Sequence, residues 1–223
     1  RSMFIAVLSL FLTDGFCFPN DGFYDSEYTI HPNRWLLPSD SCGKREEFDN
    51  GLRTRVLGGS DAELGQYPWM AELVKVHLGG FEHHCGGSII NDRYILTAAH
   101  CVESIQDMLV RLGELTRSTS VDCSKDKSRC APPAVYMDIE HVIIHPQYFY
   151  FGNLFPKHDI ALLRLRHQIE QFNDFIRPIC LPTFPTHGLA LDSKLMEVAG
   201  WGDTVSGTQS DTLQTIKVPI VPQ

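Results

Sequence analysis

The sequence predicts an all-β protein that folds as a barrel or a sandwich. From residue 56 onward, short apolar runs of strand length alternate with Gly, Pro, Asn and Asp, and some of them are rich in β-branched residues. No long stretch spaces its apolar residues at the 3.6-residue period of an amphipathic helix. Apolar residues make up 43% of the 223, enough to bury a sizeable core. The strand-length runs lie at residues 68–78, 85–90, 94–98, 108–112, 135–145, 160–165, 194–199 and 212–221.

One short helical turn is predicted at residues 98–102, directly after the apolar run 94–98. Before residue 56 the composition is different. Residues 19–55 are rich in Pro, Asn, Asp, Ser and Gly and show little periodicity, which is typical of a linker or propeptide. Residues 56–223 therefore form the predicted folded domain.

Residues 1–18 contain a candidate signal peptide. The run 3–12 has ten residues with one polar member, which suits a signal sequence and is too short to span a bilayer. No small-x-small cleavage site follows it, so a truncated or misjoined start is the alternative.

The charge balance argues against a nucleic-acid partner. The net charge is −8 and the isoelectric point is about 5.6, with Lys and Arg scattered along the chain. Nucleic-acid affinity depends on neutralising phosphates, which this composition does not favour. There is no Gly-rich phosphate loop, and no other segment is apolar enough to predict a membrane span.

The cysteine pattern indicates disulfides in an oxidising compartment. None of the seven forms a C-x-x-C pair, so a zinc ribbon or a thioredoxin-like motif is not predicted. Because the number is odd, one cysteine must be unpaired within this chain. The seven are Cys17, Cys42, Cys85, Cys101, Cys123, Cys130 and Cys180.

Arg55 is a candidate cleavage site. An exposed linker that ends in a basic residue is easily nicked, and cleavage after Arg55 would free the α-amino group of Val56. Gly58 and Gly59 would let the new terminus turn and approach other backbone closely. An ordinary Gly-Gly turn after a linker is the other interpretation.

His100 and Asp159 are the candidate acid–base pair. A neutral imidazole can take a hydroxyl proton near pH 7 and return it later, if an acid fixes its tautomer. Asp159 heads the apolar run 160–165, and a partly buried carboxylate there needs a partner such as the ring of His100. The alternatives are a structural histidine and an aspartate that caps a strand.

Two other chemistries around His100 are disfavoured. Zinc ligation is not favoured, because the adjacent pairs do not match the usual ligand spacings. The residues considered for it are His83, His84, Cys85, His100 and Cys101. Ser88 lies inside a predicted buried strand and is interpreted as structural rather than nucleophilic.

Several segments, in this order, resemble the chymotrypsin/trypsin-like serine proteases over about residues 56–223. The resemblance implies two six-stranded β-barrels with the catalytic residues in the cleft between them. Residues 56 to about 166 would complete the first barrel, and the rest would supply only part of the second. The matching segments are Arg55-Val56-Leu57-Gly58-Gly59, Pro68-Trp69, Leu96-Thr97-Ala98-Ala99-His100-Cys101, His145-Pro146, Asp159-Ile160-Ala161-Leu162-Leu163, Arg177-Pro178-Ile179-Cys180-Leu181-Pro182 and Ala199-Gly200-Trp201-Gly202.

The resemblance assigns roles to these residues. His100 would be the general base, Asp159 its orienting acid, and the amino group of Val56 the activating terminus that pairs with an aspartate beside the nucleophile. The nucleophile motif Gly-Asp-Ser-Gly-Gly does not occur within the 223 residues. The chain as given is therefore expected to be an incomplete and inactive serine endopeptidase. The alternatives are a non-catalytic homologue that acts as a binding cofactor, and a decoy product that truly ends here.

Residues 31–43 resemble the linker of arthropod clip-domain serine proteases, which act in haemolymph cascades for melanisation, Toll-type immune signalling or embryonic patterning. The six-cysteine clip module itself is absent. Any other secreted protease with a tethered propeptide is the alternative. The resemblance implies the pairs Cys42–Cys180 and Cys123–Cys130, the pair Cys85–Cys101 is also expected, and Cys17 is left over.

The same resemblance carries expectations about ions and partners. Residues 111–114 open a loop that binds calcium in some relatives, and Glu114 with Asp122 or Asp126 would supply hard oxygen ligands. Solvated loop charges are the alternative, and no other cofactor is expected. The expected partners are a protein substrate, an upstream trypsin-like activating protease and serpin inhibitors, in a secreted, extracellular setting.

Overall fold

A computed structural model of the chain describes residues 7–9, 33–45, 59–103, 106–150, 156–182, 195–204 and 207–219. These residues form ten strands and two short 3-10 helices. The strands are β1 (Val7–Ser9), β2 (Ser60–Asp61), β3 (Met70–His77), β4 (Gly80–Ile89), β5 (Tyr94–Thr97), β6 (Met108–Leu112), β7 (Val135–Ile144), β8 (Ala161–Leu165), β9 (Leu195–Gly200) and β10 (Gln214–Pro219). The 3-10 helices are Arg34–Leu36 and Ala99–Cys101.

Six of the strands close into an antiparallel barrel in the order β3-β4-β5-β8-β7-β6. The barrel strands alternate buried and less buried positions, as in β8, where Ala161, Leu163 and Leu165 point into the core. Trp69, Ile95 and Leu112 are among the fully buried side chains around them. The predicted all-β fold with a complete first barrel is confirmed.

The remaining four strands form a second sheet in the order β1-β9-β10-β2. The hairpin of β9 and β10 is its main part, with Ile216 opposite Val198. Strand β2 joins it through Gln214, and β1 pairs along the other edge of β9. The hairpin of β9 and β10 corresponds to the partly present second barrel, as predicted, whereas β1 comes from residues 1–18, the candidate signal peptide. Strands β1 and β2 were not expected from the sequence pattern, because each is only two or three residues long.

The predicted runs and the observed strands differ most at β4. It begins at Gly80, whereas the apolar pattern predicts a start at residue 85. The reason is that its first half pairs with β3 in an exposed hairpin, with Phe81 opposite Val76. A solvent-facing hairpin tip lacks the apolar signal on which the prediction depends.

A glycine lets β4 approach β5 closely. A Cβ atom on Gly87 would lie 2.7 Å from Cγ2 of Ile95 and 3.0 Å from the carbonyl oxygen of Leu96. Any side chain there would push β4 away from β5, the strand that leads to His100. Ser88, next to it, is almost fully buried, as the structural interpretation requires.

Candidate active site

His100 lies on the short 3-10 turn that follows β5. The backbone N–H of Cys101 donates to the carbonyl of Ala98 over 3.2 Å, and that of Val102 to Ala99 over 3.0 Å. Ala99 and Cys101 are buried and hold the turn against the core, while the side chain of His100 remains 35% exposed. The predicted turn at 98–102 is thus present, in the tighter 3-10 form.

Asp159 reaches His100 because β5 and β8 pair. Thr97 lies opposite Ala161, so the residue two before Ala161 comes beside the turn that follows Thr97. Oδ2 of Asp159 accepts a hydrogen bond from Nδ1 of His100 over 2.6 Å. Its Oδ1 accepts the backbone N–H of His100 over 2.9 Å. With Nδ1 as the donor, Nε2 keeps its lone pair and can accept a proton.

A disulfide joins the turn to β4. Cys85 and Cys101 are bonded, with Cα atoms 6.1 Å apart. Their sulfurs and a ring nitrogen of His100 lie within 4.8 Å of one another. Because the two sulfurs are bonded to each other they are not thiolates, so this group does not offer a zinc ligand set.

A buried ionic network is centred on Glu72 of β3. This carboxylate, fully buried in β3, accepts Nδ1 of His83 over 2.7 Å and Nε of Arg111 over 2.7 Å. Burial alone would lower the pKa of Arg111, but the carboxylates of Glu72 and Glu114 and the hydroxyl of Tyr136 raise it. Sequence reasoning missed Glu72 and Arg111, although an acid inside the apolar run 68–78 was the available signal.

His84 was predicted only as a disfavoured zinc ligand. Its Nε2 lies 2.9 Å from the carbonyl oxygen of Cys101, the residue after His100. Burial lowers the pKa of His84, and the nearby charges of Lys75, His83 and His100 act in the same direction, against the hydrogen bond to Cys101.

A cleft of about 70 Å³ separates the barrel from the second sheet beside these residues. Residues 83–86 of β4 form one wall, and Ala199, Trp201 and Asp203 stand on the other. The resemblance implies a catalytic cleft between two barrels; this cleft lies between the barrel and the second sheet, but neither His100 nor Asp159 is among the residues that line it.

In the loop that was predicted to bind calcium, the acidic side chains already bind other groups of the protein. Asp122 accepts the backbone N–H groups of Leu115 and Thr116, and the carboxylate of Glu114 lies 3.3 Å from a guanidinium nitrogen of Arg111. Asp126 accepts Ser124 and Ser128 in its own turn. A guanidinium beside Glu114 does not favour a cation there, and calcium binding stays a prediction.

The other predicted site residues divide into two groups. The structure contains the disulfides Cys42–Cys180 and Cys123–Cys130. Arg55, Val56 and Cys17 lie outside the described residues, so the cleavage site stays a prediction.

Comparison with known proteins agrees with this geometry. The Trypsin family model matches residues 56–223. Phenoloxidase-activating factor 3 of Holotrichia diomphalia is 40% identical over 198 residues, which are 86% of this chain and 53% of the relative. Serine protease grass of Drosophila melanogaster is 42% identical over 190 residues, 82% of this chain and 49% of the relative. The chain thus spans about half the length of the curated relatives it matches.

Two further matches point to the same subfamily. The CLIP domain-containing serine protease HP8 of Bombyx mori is 41% identical over 194 residues, 83% of this chain and 50% of the relative. The crystal structure of the Drosophila Grass clip serine protease of the Toll pathway matches with a TM-score of 0.65 and 39% identity, over 81% of this chain and 50% of that one. The chain therefore belongs to the trypsin family of serine proteases, and it is similar to arthropod clip-domain members at about 40% identity.

Proposed function

We propose that this chain belongs to a secreted zymogen of a serine-type endopeptidase, which is activated by cleavage after Arg55 and hydrolyses peptide bonds in an extracellular proteolytic cascade. The observation that carries the proposal is the two-point hydrogen bonding of His100 by Asp159, at 2.6 Å and 2.9 Å. A carboxylate that binds both the ring N–H and the backbone N–H of one histidine orients its imidazole and selects its tautomer.

The chemistry assigned to the pair is general acid–base catalysis. Nε2 of His100 takes the proton of a serine hydroxyl as its oxygen adds to the peptide carbonyl, and the resulting imidazolium gives that proton to the leaving amine. Asp159 stays ionised and stabilises the imidazolium. A Gly-Asp-Ser-Gly-Gly motif does not occur within these 223 residues, and the proposed reaction requires a serine nucleophile that they do not supply.

The zymogen proposal draws on the linker. The linker stays attached to the barrel after cleavage at Arg55, because Cys42 is bonded to Cys180 across 138 residues. Arg45 of the linker also forms a 2.8 Å ion pair with Glu197 of β9. We assign residues 1–18 to a signal peptide, 19–55 to the propeptide and 56–223 to the protease domain.

The extracellular setting and the cascade are inferred from general chemistry and from relatives. Three disulfides in the described part of the chain suit an oxidising compartment. The described ranges contain no helix that is both long and apolar enough to cross a membrane. The names of the relatives refer to phenoloxidase activation, melanization and the Toll pathway. We accordingly propose protein substrates, an upstream trypsin-like activator, serpin inhibitors and a role in innate immunity.

The test is active-site labelling of the complete gene product. The transcript is read beyond Gln223, and the encoded protein is cleaved after Arg55 with a trypsin-like enzyme and treated with a fluorescent fluorophosphonate. We expect labelling of the cleaved protein and little labelling of an Arg55→Gln variant or a His100→Ala variant. A Gly-Asp-Gly-Gly-Gly motif, or no labelling after verified cleavage, would contradict the enzyme proposal and favour a non-catalytic cofactor instead.

A further inference from the structure

His84 occupies an irregular position in β4. In the pairing of β3 with β4, Leu73 lies opposite Cys85 and the next residue, Val74, lies opposite His83. His84 therefore has no partner on β3 and forms a β-bulge. A bulge changes the direction in which a strand presents a side chain, and bulges are common beside active sites for that reason.

The bulge brings His84 to the turn that carries His100. Nε2 of His84 lies 2.9 Å from the carbonyl oxygen of Cys101, which can only accept a hydrogen bond. The ring must therefore carry its proton on Nε2 and leave Nδ1 as an acceptor. This carbonyl belongs to the last residue of the 3-10 turn, and the last carbonyl groups of a helix have no N–H partner within the helix.

Two neighbouring residues of β4 thus hold Cys101 in different ways. The disulfide from Cys85 restrains the side chain of Cys101, and the hydrogen bond from His84 restrains its carbonyl group. Restraint of the carbonyl restrains the orientation of the peptide plane at the end of the turn. The N–H of Val102 in the same peptide plane donates to Ala99 over 3.0 Å, and the bond from His84 adds a restraint on the carbonyl side that the disulfide, acting through the Cβ atom, does not supply.

The charge state of His84 suits such a role. Burial, followed by the nearby charges of Lys75, His83 and His100, lowers its pKa. A neutral ring at His84 adds no second positive charge when His100 becomes an imidazolium. The groups that face it are thus the ammonium of Lys75 and the rings of His83 and His100, with the Cys101 carbonyl as its hydrogen-bond partner.

We propose that His84 is a positioning residue, whose ring N–H restrains the Cys101–Val102 peptide plane at the end of the His100 turn and thereby the aim of the His100 imidazole. The proposal rests on the proposed function, in which His100 is the general base. It deepens that function by assigning a role to a residue that has no described contact with Asp159.

The test reads the His100 ring directly by NMR of the full-length protein with isotope-labelled histidine. His84→Phe keeps an aromatic ring and removes the donor, whereas the side-chain amide of His84→Gln can still donate to the Cys101 carbonyl. His77→Phe is the matched control, since His77 is exposed and pairs only with Glu82 among the described contacts. The readouts are the hydrogen exchange of the His100 Nδ1–H and the titration of its imidazole.

We expect the His100 Nδ1–H to exchange roughly three- to tenfold faster in His84→Phe, the factor that corresponds to one net hydrogen bond. His84→Gln should restore wild-type exchange, and His77→Phe should leave it unchanged. The proposal is overturned if a folded His84→Phe protein, with native disulfides and near-ultraviolet dichroism, shows an unchanged His100 signal and titration.

A second measurement covers the case in which His84→Phe does not fold. The ¹⁵N chemical shifts of the wild-type His84 ring report its tautomer, and a proton on its Nδ1 instead of its Nε2 would overturn the proposal. Neither measurement needs the nucleophile. Failure of fluorophosphonate labelling would therefore count against the proposed function alone.

Discussion

Asp159 holds His100 through both of its carboxylate oxygens, one 2.6 Å from the ring Nδ1 and the other 2.9 Å from the backbone nitrogen. The acid therefore orients the imidazole and also anchors the turn on which it lies. An amide at this position would keep the shape but offer an N–H group to Nδ1, which would move the ring proton to Nε2 and block proton acceptance.

Asp159→Asn in the cleaved, full-length enzyme should lower kcat by a factor on the order of 10⁴, because the catalytic tautomer is lost. Steady-state hydrolysis of a peptide substrate measures it. Asp174→Asn, at an exposed acid remote from His100, should retain activity. A loss smaller than tenfold for Asp159→Asn would argue against a triad role for this acid.

The backbone before Asp159 is strained at His158. Its φ is +52°, a left-handed conformation in which β-branched residues are rare, and the N–H of Ile160 donates to its carbonyl over 2.8 Å. His158→Val should destabilise the protein by about 1–3 kcal/mol, whereas His158→Asn should be tolerated because Asn adopts this conformation readily. Urea denaturation checks both, with His167→Val on an exposed loop as control. Equal stability of the Val and Asn variants would contradict the assignment of strain.

The buried carboxylate of Glu72 compensates the charge of Arg111. Glu72→Leu should lower the free energy of unfolding by about 3–5 kcal/mol, because it leaves the buried guanidinium of Arg111 without its main partner. The double variant Glu72→Leu with Arg111→Met should recover much of this loss. Replacement of Asp138, which forms an exposed ion pair with Arg166, should lower the free energy of unfolding by less than about 1 kcal/mol. Additive effects of the two buried substitutions in a double-mutant cycle would show that they are not coupled.

Stability should fall between acidic and slightly alkaline pH because of Glu114. Burial raises its pKa from 4.5 to about 7, although Arg111 opposes the shift. The folded protein then binds a proton more tightly than the unfolded chain, so the stabilisation is present below pH 4.5 and is lost as the pH rises through 7. In the Glu114→Gln variant, the urea denaturation midpoint should depend less on pH over this window than in the wild type. Glu170→Gln, at an exposed residue, should keep the wild-type pH dependence. Parallel pH profiles for wild type and Glu114→Gln would be the contrary result.

The linker should remain attached after activation through Cys42 and Cys180, whose Cα atoms lie 4.9 Å apart. Cleavage after Arg55 should leave one band on a non-reducing gel and two bands on a reducing gel. Cys42→Ser should separate into two bands under both conditions. Two bands from the wild type without reductant would show that the linker is released.

The sequence was most informative where short motifs and periodicity carry the signal. The apolar runs predicted every strand of the barrel, and the segment around His100 placed a helical turn one residue from where the 3-10 turn begins. The family resemblance is confirmed by the Trypsin model over residues 56–223. The start of β4 was predicted wrongly because a solvent-facing hairpin lacks an apolar pattern.

By itself, the sequence determined the fold class, the family and the pair of residues, His100 and Asp159, that are most like a catalytic base and its acid. Only the tertiary structure decided how the strands are registered, and with that which polar groups meet. The bulge that turns His84 toward Cys101 depends on the register of the β3–β4 hairpin, and the burial of Glu72 against Arg111 depends on the pairing of β3 with β6. Such contacts arise from packing across the barrel, and no local pattern of residues encodes them.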